Sequence, residues 1–466
     1  MQYHAKNVCL RTVPHPQPDA AIPVMLSDET IAERLNKVLH AMQNAGFETL
    51  IIYDDVEHSG NFEYLTGFMT RFEEGLLVLH ANGDAALIVG NENAKLAACS
   101  RIPAKVLHCP MLSLPNQPMD GDRPLEDILR DAGVQQGKKT GLVGWKLFTS
   151  ADGRNRTRFD VPAFIVDAAR EVAGDASVEN ATALFIGPGG ARCTNNANEI
   201  AHYEYGSALA SDGVIRAMQA IAPGMTELEL GGMLNSHGQR CSVVTICAAG
   251  PRYQKANLYP TNRPVQVGDT ISMTCGYRGG LASRGAYVVE DASQLPQGRE
   301  DYVQALSAPY FAAITAWLEN IRPGMTGGEM HALIESVLPR AEYHWSLCPG
   351  HLTAEEEWLC SPIYENSAEK LESGMLLQLD IIPSRAGYAG TGCENGIALA
   401  DEKLRETIQK DEPELWARIC QRREYIIRHL GIRLPECVLP LSSGVAYLRP
   451  YLLDKEQALT YCHDQD

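Results

Sequence analysis

The sequence predicts an α/β protein of the α+β kind, with two folded domains and an internal duplication in the second. Three observations support this prediction: strand and helix patterns mix in the first half, a glycine-rich break follows, and a long motif recurs in the second half. The 466 residues, 45% of them hydrophobic, can form two or three separate cores. We assign residues 1–190 and 191–402 to the two domains and residues 403–466 to a C-terminal extension.

The first domain is predicted to contain both helices and strands. Ser27 can cap a helix whose apolar residues recur on one face. A strand is predicted at residues 49–53. The apolar runs 76–80 and 85–89 flank Asn82-Gly83, a pair that tolerates the positive φ angles of a tight hairpin turn. We therefore expect two antiparallel strands on either side of this pair.

The domain boundary is predicted at Gly187-Pro188-Gly189-Gly190, after helical patterns near residues 125–132 and 161–172. A glycine run can cradle a phosphate, but no Lys-Ser or Lys-Thr follows this one and the chain has no G-x-G-x-x-G. The run is therefore interpreted as a linker.

The second domain contains an internal repeat. The motif P-G-M-T-E-L-E at Pro223–Glu229 recurs as P-G-M-T-G-G-E at Pro323–Glu329, 100 residues later. Each copy follows a long helical pattern, and in each a Thr precedes a Glu by three residues, which is the spacing of a capping box. Gly268 and Gly374 then each lead into an apolar run. The repeat predicts two copies of a helix-helix-strand unit, with the ligand site in the cleft between them.

The composition excludes several classes of partner. Lys and Arg total 40 against 58 Asp and Glu, and the resulting net charge of −18 repels nucleic acid and anionic membranes. The chain has neither the apolar core of a signal peptide near its start nor the ~18 uninterrupted apolar residues of a membrane span. We expect a cytoplasmic protein whose 13 cysteines, none in a C-x-x-C pair, are reduced thiols.

A set of motifs follows a fixed order along the chain: Asn61–Phe68, Ile88–Asn93, Asn198-Glu199-Ile200, Ala222–Glu227, Gly350-His351, Gly374-Met375 and Glu394-Asn395. In this order they resemble one protein family, that of creatinase, aminopeptidase P, prolidase and methionine aminopeptidase. The resemblance extends from about Ser27 to about Glu402 and implies a creatinase-type N-terminal domain followed by a duplicated pita-bread domain.

The metal ligands implied by the resemblance are only partly present. Metallopeptidases of this family hold two divalent ions with two Asp, one His and two Glu near the C-terminus, and Asp380 stands in place of the first of these Glu residues. Here Thr274 stands where the first Asp is expected, and Arg284 or Gly285 where the second is. The retained residues are His351, Asp380 and Glu394. A two-metal site needs bridging carboxylates, so we expect no dinuclear site and no cofactor, or at most one divalent ion on the three retained residues.

The acid-base histidines that the resemblance implies are also missing. One position falls at Asn257 or Leu258, and the H-E-x-P position falls within Glu355–Pro362, which contains no His. His351 is therefore the predicted proton-transfer residue. The run Glu355–Glu357 is interpreted as a solvated edge.

The predicted catalytic residues are His351, Asp380 and Glu394, of which the two carboxylates would hold a cationic group. Arg284, Tyr259 and Tyr287 are the predicted substrate-binding residues, and Arg284 would offset the lost metal charge if it projected into the cleft.

The favoured hypothesis is a metal-independent, creatinase-like hydrolase that cleaves a C–N bond in a small, cationic molecule. The alternatives are a non-catalytic binding protein with the same fold and an Xaa-Pro-type peptidase with at most one metal. A charged helical pattern at residues 404–430 and an apolar tail are expected to pack on the same domain or on a second subunit, and the resemblance implies a homodimer.

Overall fold

The computed structural model describes residues 3–235, 237–255 and 257–463, which form two compact units. The N-terminal unit is Leu26–Cys193, and the C-terminal unit joins Met1–Met25 to Thr194–Asp466. The sequence placed the first 25 residues with the N-terminal domain. They belong to the other unit because the strand Val8–Thr12 pairs with a strand near the end of the chain.

The helices and strands are numbered along the chain. The helices are α1 (Asp28–Ala45), α2 (Gly60–Thr66), α3 (Leu125–Asp131), α4 (Ala163–Ala173), α5 (Ala197–Ala220), α6 (Glu227–Leu234), α7 (Pro251–Gln254), α8 (Ala308–Asn320), α9 (Gly327–Val337), α10 (Arg340–Tyr343), α11 (Glu402–Asp411) and α12 (Pro413–His429). The strands are β1 (Val8–Thr12), β2 (Thr49–Asp54), β3 (Gly75–His80), β4 (Ala85–Val89), β5 (Lys105–His108), β6 (Thr140–Val143), β7 (Val178–Asn180), β8 (Cys241–Ala249), β9 (Thr270–Tyr277), β10 (Gly280–Tyr287), β11 (His351–Leu352), β12 (Leu376–Leu379), β13 (Gly392–Leu399), β14 (Val438–Pro440) and β15 (Gln457–Tyr461).

The N-terminal unit is built on a six-stranded mixed sheet in the order β5-β4-β3-β2-β6-β7. The hairpin predicted around Asn82-Gly83 is confirmed, since β3 and β4 pair antiparallel and Gly83 has φ of +91°. The predicted cap of α1 is also confirmed, because Ser27 Oγ accepts a hydrogen bond from the Thr30 amide at 3.1 Å. Helices α3 and α4 bury their apolar residues with those of the sheet in one core.

The C-terminal unit is built on the sheet β11-β12-β13-β10-β9-β8, with β14 added at β13. Both predicted capping boxes are present: Thr226 starts α6 and Thr326 starts α9, each with the reciprocal Glu bond. Helix α5, which precedes α6, packs on β9 and β10. Helix α8, which precedes α9, packs on α9. The sequence repeat is thus a structural repeat. The first copy contributes the antiparallel pair β9-β10 and the second the antiparallel pair β12-β13, and the two pairs are joined by the antiparallel pairing of β10 with β13.

The C-terminal extension packs on its own unit. Strand β14 pairs with β13, and β15 pairs with β1. The prediction of a single helical segment at residues 404–430 is wrong in one respect. The chain forms two helices there, which meet at Glu412. Pro413, which has no amide hydrogen and fixes φ, starts the second helix.

Two composition-based expectations can be compared with the described residues. All 13 cysteines are free thiols, with Cys9 Sγ and Cys462 Sγ 3.6 Å apart. Within the three described ranges, no helix combines the length and apolar character that crossing a membrane requires.

Candidate active site

His351 is the central side chain of the candidate site. It begins the short strand β11, which pairs with β12 opposite Gln378, and its side chain is fully buried. Trp358 covers one face of the imidazole, with the ring centroids 4.0 Å apart and the planes inclined by 22°. His351 Nδ1 lies 3.2 Å from the Leu352 carbonyl oxygen, which can only accept. Nδ1 therefore carries a proton, and Nε2 is the atom that faces the site.

Three carboxylates converge on His351 Nε2. Glu357 Oε1 lies 3.1 Å away, Asp380 Oδ2 3.8 Å away and Glu394 Oε1 3.9 Å away. Asp380 directly follows β12, and Glu394 lies on β13 beside it, so neighbouring strands of the second repeat copy supply both acids. Despite these short distances, His351 Nε2 has no aligned hydrogen-bond partner among the described residues.

The first repeat copy supplies hydroxyls instead of acids. Thr274 on β9 pairs directly with Ser283 on β10, and the two side-chain oxygens are 2.5 Å apart. Both residues line the same cavity as Asp380 and Glu394. The sequence placed the lost second acid at Arg284 or Gly285, but the residue opposite Thr274 is Ser283. The turn between β9 and β10 is short, and this sets the register.

The electrostatics of the cluster follow from burial and from mutual charge. Burial disfavours the charged imidazole, but attraction to the carboxylates of Glu357 and Glu394 outweighs this effect and raises the pKa of His351 to about 10. Burial raises the pKa of Asp380 well above its usual value, and repulsion by Glu394 adds to the shift. Burial likewise raises the pKa of Glu394, against the opposing attraction of His351. The cluster therefore favours the protonated imidazole of His351 and makes both carboxylates stronger bases than isolated side chains.

A cavity of about 390 Å³ opens in front of the cluster. Its floor is formed by acidic and hydroxyl side chains and its rim by apolar ones. The lining residues are Val243, Ile246, Tyr253, Ser272, Thr274, Leu281, Ser283, Gly285, Tyr310, Leu347, Glu357, Trp358, Asp380, Ile381, Ile382, Thr391, Gly392, Cys393 and Glu394.

Arg284 does not lie where the sequence analysis placed it. Along β10 the side chains alternate between faces, so Ser283 and Gly285 line the cavity while Arg284 points away from it. The buried guanidinium donates to the carbonyl oxygens of Tyr447, Ser283, Glu394 and Gly444 and to Asn395 Oδ1. It therefore ties β10 to the C-terminal extension and does not pair with the carboxylate of Asp380 or Glu394.

The two tyrosines predicted to bind substrate are also outside the cavity. Tyr259 is 64% exposed, and its carbonyl accepts a hydrogen bond from Arg252. Tyr287 is buried edge-on against Tyr302, and its hydroxyl accepts from the Ala389 amide at 3.2 Å. The tyrosine that lines the cavity from this region is Tyr253.

The run Glu355–Glu357 is not a solvated edge as predicted. Glu355 accepts a hydrogen bond from Tyr203 Oη at 2.6 Å, and Glu357 faces His351. Backbone hydrogen bonds between Leu352 and the pair Leu359-Cys360 fold this segment back over β11. Sequence reasoning missed Glu357 because three consecutive acids are typical of surface, and the only available signal was their closeness to His351.

The side chains at the site can be tested as ligands for the divalent ions that the fold family implies. His351, Asp380 and Glu394 offer one ligand atom each, all within 4.8 Å of one another, and the orphaned His351 Nε2 is among them. This set fits a single divalent ion. It does not fit two, because the first repeat copy contributes the hydroxyls of Thr274 and Ser283, which bond each other, where a two-metal site needs carboxylates.

This duplicated α/β unit, with a histidine and two acids in its cleft, has the architecture of the pita-bread fold. Residues 201–404 match the family model described as metallopeptidase family M24. This segment is less than half of the chain, and over it the chain is similar to family M24.

Solved structures share the fold at low sequence identity. The Xaa-Pro dipeptidase from Bacillus anthracis is 16% identical with a TM-score of 0.60, over 80% of this chain and 96% of that one. Dipeptidase PepE from Mycobacterium ulcerans is 18% identical with a TM-score of 0.61, over 80% and 94%. The prolidase from Pyrococcus horikoshii OT3 is 15% identical with a TM-score of 0.60, over 79% and 95%. The comparison with curated proteins gives no match.

Proposed function

We propose that this protein is a metal-independent hydrolase that cleaves a C–N bond in a small, cationic substrate. The observation that supports this most is the arrangement around His351 Nε2, where three carboxylates lie within 3.9 Å and the opposite side of the cavity offers hydroxyls. Such a site can exchange protons and hold a cation without the bridging acids of a two-metal centre.

In the proposed reaction, His351 is the general acid. Its pKa of about 10 makes it an imidazolium at neutral pH, so it holds a proton at Nε2 for the departing nitrogen. An ordinary imidazole, with a pKa of about 6.5, would favour the role of a base, and the three neighbouring acids reverse that role. The leaving nitrogen departs as an amine once the proton is transferred.

The acids Asp380 and Glu394 are the proposed acceptors of the water proton. Burial raises the pKa of each, which brings a carboxylate closer to the basicity that deprotonating water near neutral pH requires. The water oxygen bonds to the substrate carbon, the C–N bond breaks, and one water is consumed for each acid and amine formed.

Thr274 and Ser283 are placed to assist at the substrate carbonyl. Each hydroxyl has one hydrogen, and their mutual hydrogen bond uses only one of the two. The other hydrogen is available to the oxygen on which negative charge develops.

A second candidate is a hydrolase with one divalent ion, favoured by the three ligand atoms within 4.8 Å of one another. Held by His351, Asp380 and Glu394, such an ion would polarise a carbonyl and lower the pKa of a bound water. His351 would then be a ligand and could not act as the proton donor.

Turnover in the presence of a chelator tests the proposal. The full chain is incubated with EDTA and with guanidino compounds, cationic amides and Xaa-Pro dipeptides, and amine release is followed by mass spectrometry. We expect cleavage of a cationic amide or guanidino compound that His351→Asn abolishes and His344→Asn, an exposed control in the left-handed region that Asn tolerates, does not. If no compound is cleaved and none raises the melting temperature, the non-catalytic alternative stands instead.

A further inference from the structure

The carboxyl groups that line the cavity have no basic side chain beside them among the described residues of that lining. The cavity's described lining residues include the acids Glu357, Asp380 and Glu394 and include no Lys or Arg. Arg284, the basic side chain that the sequence suggested for the cleft, is engaged elsewhere by carbonyl oxygens, and the nearby Arg252 is paired with Glu227 at 3.0 Å.

His351 is outside the lining of the cavity and is already surrounded by the acids. His351 Nε2 has Glu357, Asp380 and Glu394 within 3.9 Å, and its ring is covered by Trp358 on one face. A substrate carboxylate would have to approach this imidazole past three acids. Like-charge contacts of that kind in a partly buried site are strongly unfavourable.

The rim of the cavity is apolar. Leu347 is 53% exposed, Ile382 is 47% exposed and Trp358 is 38% exposed, and all three line the opening. Val243 and Ile246 continue this surface from β8. Exposed apolar side chains around a polar floor are typical of a pocket that binds an amphipathic small molecule.

We infer that the cavity selects molecules with a cationic group and an apolar body and rejects those with a free carboxylate. The cationic group would lie against Glu357, Asp380 and Glu394, and the apolar body against Leu347, Trp358 and Ile382. This inference rests on the proposed function in that both use the same cavity. It names the substrate class as a cationic amide or amidine with a neutral far end, and it places free dipeptides outside that class.

The test uses two ligands that differ in one group. Leucyl-proline and leucyl-prolinamide share the ammonium group and the leucine side chain, but only the first has a terminal carboxylate. Each is titrated into the full chain by calorimetry in buffer without added metal. We expect the amide to bind at least about tenfold more tightly, because only the free dipeptide brings an anion to the acids. Equal or tighter binding of leucyl-proline would overturn the inference.

Two variants on one loop make the result specific to the cavity. Glu357→Gln removes an acid from the lining and is expected to reduce the preference for the amide. Glu355→Gln makes the same change two residues away, at a carboxylate that binds Tyr203 Oη, and is expected to leave the preference unchanged. A preference that both variants reduce equally would contradict a role for the cavity acids.

Measuring cleavage in the same samples separates this inference from the proposed function. Tighter binding of the amide with no cleavage of either ligand would support the selectivity and overturn the hydrolase proposal. Equal cleavage of both ligands would support the hydrolase proposal and overturn the selectivity.

Discussion

The two copies of the repeat share a backbone plan but contribute opposite chemistry to the cleft. In the first copy, Thr274 and Ser283 satisfy each other through a hydrogen bond of 2.5 Å. In the second copy, Asp380 and Glu394 are buried acids with raised pKa values beside an orphaned His351 Nε2. A duplicated fold can thus be kept while the chemistry is concentrated in one copy, because the fold depends on helix caps and hydrophobic cores and the chemistry on a few side chains.

The largest expected effect comes from neutralising an acid of the second copy. Glu394→Gln removes the charge that neighbours His351 and is expected to lower turnover by about 10²–10⁴-fold, the usual contribution of acid-base catalysis. The first-copy counterpart, Ser283→Ala, removes a neutral hydroxyl and is expected to lower turnover less. Steady-state kinetics with the best substrate compare the two, and an equal loss would contradict the asymmetry between the copies.

The next prediction restores acids to the first copy. The double substitution Thr274→Asp and Ser283→Asp places two more carboxylates in the cavity, and without a counter-ion we expect it to destabilise the fold by about 3–5 kcal/mol. Added Mn²⁺ should recover most of this loss, since the five acidic and imidazole ligands would then suit two ions. Denaturant unfolding with and without Mn²⁺ measures both effects, and a stable variant indifferent to Mn²⁺ would contradict the assignment of these positions.

A smaller effect is expected from the pH dependence of stability. The pKa of His351 is about 10 in the folded protein, above its ordinary 6.5, so the folded state binds the extra proton between these values. The stabilisation is complete below pH 6.5 and is lost as the pH rises through 10. Between pH 7 and 10 we expect the unfolding free energy of the wild type to fall by up to about 1.4 kcal/mol per pH unit more steeply than that of His351→Asn. If denaturant titrations give the same pH dependence of the unfolding free energy for both proteins, the imidazole of His351 is not protonated in the folded state.

The smallest effect is expected from the helix N-caps that the two copies have in common. Thr226 and Thr326 each accept from the amide three residues on at 3.2 Å and start equivalent helices. Thr226→Ala and Thr326→Ala should each lower stability by about 1 kcal/mol, the usual value of an N-cap. Clearly unequal losses would show that the copies differ in their fold as well as in their chemistry.

Much of the fold follows from local patterns in the sequence. The caps at Ser27, Thr226 and Thr326 and the hairpin at Asn82-Gly83 depend on residues a few positions apart, and all four were predictable. The placement of the first 25 residues was not, because it depends on pairing between the two ends of the chain.

The candidate site was predictable only where the family motif marks it. His351, Asp380 and Glu394 converge as expected from the resemblance. Arg284 was misplaced because a shift of one residue along a strand moves a side chain to the other face, and the register depends on a short turn. Glu357 was missed because its position depends on a loop that folds back over β11, which no local pattern specifies.

We propose that the cleft works with the chemistry of one repeat copy and without a two-metal centre. The most direct test measures turnover of the best substrate in EDTA alongside the divalent metal content of the dialysed chain. We expect turnover to persist in EDTA and fewer than two divalent ions to bind each chain when Mn²⁺ is added. Turnover that appears only with two tightly bound ions per chain would contradict this proposal.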